Sequence, residues 1–73
     1  MSATGSPASN MEQAKALLHV ARQRLVSAQS KLERSATRLR LDADPRAATA
    51  DDLATDVAAI LAKVAVFQNS IGA

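Results

Sequence analysis

Long apolar residues recur along the first half of the chain at Met11, Leu18, Leu25, Leu32 and Leu39, each seven positions after the last. Ala14, Ala21, Ala28 and Ser35 follow the first four of them at a distance of three. A repeat of seven with large residues at one core position and small ones at the other is the seam of a helix that packs closely on a partner. No Gly or Pro interrupts residues 10–41, and Ala, Leu, Gln, Arg and Lys dominate there, so one helix is predicted over about 10–41. Ser9 and Glu12 form an S-x-x-E capping box at its start.

In the second half, Leu53, Val57, Ile60, Val64, Phe67 and Ile71 alternate steps of four and three, predicting a helix over about 50–70 with Gly72 as its stop. Between the two, the segment from Asp42 to Ala50 contains Pro45, which steers Asp44 away from helical angles. Thr49 and Asp52 make a second capping box at the far end of that loop. Residues 1–8 hold Gly5 and Pro7 without periodicity and read as a disordered lead-in, leaving 9–73 as one helical hairpin domain. The expected fold class is all-α, an antiparallel two-helix hairpin.

The small residues of the first helix are expected to admit the bulky seam of the second, so that volumes alternate across the contact. The second helix, however, has more apolar surface than one neighbour covers. Ala54, Ala58, Ala59, Leu61, Ala62, Ala65 and Val66 surround its seam, and a helix apolar nearly all round is normally buried on several sides. At 73 residues, a single core rarely supplies more than about 3–5 kcal/mol, and small folds of this kind lean on disulfides, metals or oligomerisation. The expectation is a bundle completed by oligomerisation, a homodimer being favoured. Leu53, Val57, Ile60, Leu61, Val64 and Phe67 are the candidate interface.

Composition closes most other routes. There is no Cys, Trp or Tyr, and there is one His and one Phe. Disulfides and thiolate metal sites are thereby excluded, and the usual base-stacking platforms are missing. The carboxylates at 42, 44, 51 and 52 lack the D-x-D-x-D-G spacing with a distal Glu that makes a calcium loop. His19 has no second histidine within helical reach, and no nucleophile and base can be paired from one His and scattered serines. No enzymatic activity, metal or cofactor is expected. The start lacks a basic n-region and an apolar h-region, and the most apolar run, 57–67, is broken by Lys63. A cytoplasmic protein without membrane insertion is expected, with export by a signal-less route as the alternative.

Charge is distributed unevenly. The first helix holds seven cations against Glu12 and Glu33, a net of +5, and the remainder of the chain holds two cations against five aspartates, a net of −3; together these give the overall +2. In an antiparallel hairpin the acidic start of the second helix lies beside the basic end of the first, so Asp52 or Asp56 is expected to face Arg34 or Arg38. Lys15, Arg22, Arg24 and Lys31 are then left over as a basic surface for an acidic partner or, in the alternative reading, for nucleic acid. With the leucines taken as position a, Arg24 and Lys31 fall at g and Lys15 and Arg22 at e, flanking the seam with positive charge.

The string Leu41-Asp42-Ala43-Asp44 resembles the turn of the ROP plasmid-copy regulators, which are small four-helix proteins made of two hairpins that bind RNA. That likeness covers the turn and the large/small alternation of the seam, and no site residue is carried over. It implies an RNA-binding regulator acting through the basic first helix. In its size, its lead-in and its Pro-containing turn, the chain also resembles the needle subunits of type III secretion, although it lacks the paired prolines usual in that turn. This second likeness implies a subunit or chaperone whose apolar faces are covered only by assembly.

Overall fold

In the computed structural model, which describes residues 7–72 with side chains from Asn10 onward, the chain forms α1 (Pro7–Leu41) and α2 (Arg46–Gly72). The two helices pack along their length as a hairpin. Residues 1–6 of the expected lead-in lie outside the described residues. Pro7 and Ala8 already belong to α1, so that helix begins before the Ser9 capping box. Proline suits a first helical position, where its missing N–H has no intrahelical partner to lose.

The turn is shorter than the sequence suggests because one residue stops the first helix and another starts the second. Ala43 adopts φ 54°, a left-handed conformation. The amide of Asp44 donates to the carbonyl of Leu39 (2.9 Å) and that of Ala43 to the carbonyl of Arg40 (3.0 Å), the two bonds of a Schellman stop. Asp44 then turns round and caps α2. Its Oδ1 accepts from the backbone N–H of Arg46 at 2.9 Å, its carboxylate is bidentate with the Arg46 guanidinium, and its carbonyl accepts from Ala47. Pro45, expected only to break the chain, opens the second helix as well. The Thr49/Asp52 box therefore lies inside α2, starting three residues beyond its first residue, and α2 runs to Gly72 rather than Ser70.

Burial shows which rows meet. On α2 the covered row Ala47, Ala50, Ala54, Val57, Leu61, Val64, Gln68 and Ile71 alternates steps of three and four, with Ala58 and Ala65 half-buried beside it. On α1 the covered positions are Ala14, Lys15, Leu18, Leu25, Gln29, Leu32, Ala36 and Leu39. The leucine seam is therefore used, but from Leu25 onward its companion row follows the leucines by four residues, not three. Gln29 and Ala36 turn inward, whereas Ala21, Ala28 and Ser35 are exposed. A row at plus three and a row at plus four flank the same leucines on opposite sides, and only the neighbouring helix selects between them.

The fully enclosed part of the contact is small. Ala36 is 0% exposed, and Ala47, Ala50 and Ala54 are the other buried apolar residues among those described; all four lie near the turn, where small side chains let the backbones approach. Among the described residues no large side chain is fully buried. The molecule measures 58 × 23 × 12 Å, so in its shortest dimension it is one helix thick.

Candidate interaction surface

A flat hairpin one helix thick has two broad faces, and here they differ in chemistry. Arg40, which follows inward-facing Leu39, is ion-paired with Asp51, which follows inward-facing Ala50. Residues immediately after those inward positions therefore share one side of the hairpin. Glu33, Val26 and His19 of α1 fall on it, as do Ala58 and Ala65 of α2. The polar bonds between the helices belong to this side or to the line between them. Arg22 donates from its guanidinium to Gln68 Oε1 at 2.9 Å, and Gln29 donates to Glu33 at 3.4 Å along α1. His19, Arg22, Gln23 and Val26 line a shallow depression there.

The opposite face carries the residues that precede the other inward row. On α1 these are Ala21, Ala28 and Ser35, a row of small side chains. On α2 they are Leu53, Ile60 and Phe67, which remain 47%, 47% and 54% exposed. Among the described residues no hydrogen bond or ion pair crosses this face. Val57, Val64 and Ile71 are half-buried where its two rows meet. We call it the open face.

The expected interface residues are thus divided by the structure. Leu53, Ile60 and Phe67 stand on the open face, and Val57 and Val64 are shared between that face and the contact with α1. Leu61 belongs to the inward row and is half-buried. Against α1, α2 uses the row containing Leu61 and Gln68, and the row one residue earlier, with Ile60 and Phe67, stays exposed. Val66 is 70% exposed on the outer edge.

The expected basic ladder is divided as well. Lys15 pairs with Glu12 at 3.5 Å and Arg22 reaches Gln68, both on the line towards α2. Arg24 and Lys31 lie on the outer flank of the open face, with Lys31, Arg34, Ser35 and Arg38 lining a shallow depression. The expected pairing of Asp52 or Asp56 with Arg34 or Arg38 does not form; Arg40 with Asp51 and Arg46 with Asp44 take its place. The reason is angular, since Arg40 and Asp51 sit beside the inter-helix line whereas Asp52, Asp56, Arg34 and Arg38 point outward from it. The Arg46 guanidinium and backbone amide together hold the Asp44 carboxyl at about 2.

Among the described residues, no group of three His, Cys, Asp or Glu side chains could hold a metal ion, and no helix is long and apolar enough to cross a membrane. Set against known protein families, curated proteins and solved structures, the chain matches none of them.

Proposed function

We propose that this protein is a non-catalytic interaction or assembly module that self-associates through its open face and presents α1 cations to an acidic partner. The observation that carries this reading is the exposed row Leu53, Ile60 and Phe67. Three large apolar side chains in register on a face without polar bonds form a contiguous patch, and such patches mark interaction sites. The open face also has the extent that an interface needs. It is 23 Å wide, and the 27 residues of α2 give it a length of about 40 Å, so it offers roughly 900 Å² per copy against the usual 800 Å² or so.

The test is light scattering coupled to size exclusion. The native chain is expected at a fixed multiple of its mass, and a Leu53→Glu/Phe67→Glu variant at the monomer mass. Lys31→Glu should leave the mass unchanged. A native chain that stays monomeric at high concentration would overturn the reading. The nucleic-acid alternative is supported by the cations Lys31, Arg34 and Arg38 around one depression. It requires a salt-sensitive gel shift with RNA or DNA that Arg24→Glu/Lys31→Glu abolishes.

A further inference from the structure

The open face is complementary to itself, and in only one of two orientations. Its α1 half is a row of small residues and its α2 half a row of large ones, running side by side. The register is fixed by Arg40 against Asp51 and Arg22 against Gln68, so Ser30 stands level with Ile60 and Gln23 with Phe67. Two copies can meet about a two-fold axis parallel to the helices or about one lying across them. The crosswise axis sets α2 on α2 and α1 on α1. Large residues then meet large ones, small meet small, and Arg24, Lys31 and Arg38 of both copies are brought together. The parallel axis sets the large row of each copy on the small row of the other, which is the packing that fills an inter-helix space evenly.

Charge favours the same choice. Among the described residues Asp52, Asp56, Arg34 and Arg38 have no ion-pair partner within the chain. All four flank the open face towards the turn, the aspartates on α2 and the arginines on α1, and by the register Asp52 stands level with Arg38 and Asp56 with Arg34. We propose that two copies close open face to open face about a two-fold axis parallel to the helices. The α2 of each copy then lies antiparallel on the α1 of the other, with Ile60 over Ala28 and with Asp52 and Asp56 beside Arg38 and Arg34 of the second copy. The pairing expected within one chain is thereby made between two. Lys63 comes to lie near Arg24 and Lys31 of the second copy, an unfavourable contact that leaves a cationic flank available to an acidic partner.

This inference rests on the self-association proposed above and is tested by complementation in trans. Asp52→Arg/Asp56→Arg and Arg34→Asp/Arg38→Asp are expected each to raise the dimer dissociation constant about tenfold or more, and an equimolar mixture to return to the dimer mass. Circular dichroism checks that both variants remain helical. A second test uses the absence of native cysteine. Mixed Ile60→Cys and Ala28→Cys chains should form a disulfide between unlike copies on oxidation, whereas Ile60→Cys alone should not cross-link to itself. A mixture that stays monomeric, or rapid self-cross-linking of Ile60→Cys, would overturn this arrangement while leaving a dimer in place. A native chain that never dimerises removes the reading beneath it instead.

Discussion

The two broad faces of the hairpin are built from the same two helices yet differ in how fully they are satisfied. The polar face holds an inter-helix ion pair and a side-chain hydrogen bond, Arg40 with Asp51 and Arg22 with Gln68. The open face holds Leu53, Ile60 and Phe67 half in water and nothing polar across it. The difference teaches that the hairpin contact is not where the chain is most apolar. On α2 the row of large apolar residues is rotated from α1 towards the open face, while α1 keeps its leucines in the contact, so what a lone hairpin fully encloses is mainly the alanine contact at the turn.

Substitution on each face is the most direct way to break this contrast. Ile60→Asp should abolish association and lower the unfolding temperature, since burying an Ile in an interface is worth about 1.5–3 kcal/mol per copy. In the native chain that temperature should rise with protein concentration, and in the variant it should not. Val26→Asp, on the polar face, should change stability by no more than about 0.5 kcal/mol and leave the mass unchanged. Equal effects from the two would remove the distinction between the faces.

The enclosed alanines offer a second comparison, between the turn end and the open end of the same contact. Ala36→Leu forces a larger side chain where nothing is exposed and should cost about 1–3 kcal/mol in denaturant unfolding. Ala21→Leu, about four turns away on the exposed small row, should cost little in the isolated hairpin but weaken the dimer. A stabilising substitution is expected at the turn. Ala43→Gly relieves a left-handed alanine and should add about 1 kcal/mol, read as a higher denaturant midpoint with unchanged slope.

The smallest effect is expected from acid. Asp44 titrates at about 2 in the hairpin and near 4 in an unfolded chain, so its capping contribution is complete above about pH 4 and is lost as pH falls through about 2. Asp44→Asn keeps an oxygen at the cap and should remove that acid-dependent step from a helicity titration. An unchanged step in the variant would place its origin in other carboxylates.

Much of this architecture was legible in the residues. The leucines at 18, 25, 32 and 39 lie in the contact as their spacing implies, and the chain is two helices joined at Asp44 and Pro45. The sequence suggests a longer turn because Pro45 and Thr49 both carry helix-start chemistry, and only the Asp44 hydrogen bonds choose between them. The position of Leu61 is hidden for a related reason. Seams through Leu53, Ile60 and Phe67 and through Ala54, Leu61 and Gln68 both run along α2 at sevenfold spacing, and the larger side chains made the outer seam look like the inner one.

The sequence by itself determined that there are two helices, that each has an apolar stripe, and that positive and negative charge lie on different helices, because propensity and periodicity are local properties of the chain. The tertiary structure alone decided which stripe each helix turns towards its neighbour. That choice depends on how closely two backbones can approach, and the approach is set at the turn by Ala36, Ala47, Ala50 and Ala54, small residues whose importance shows only when they are brought together.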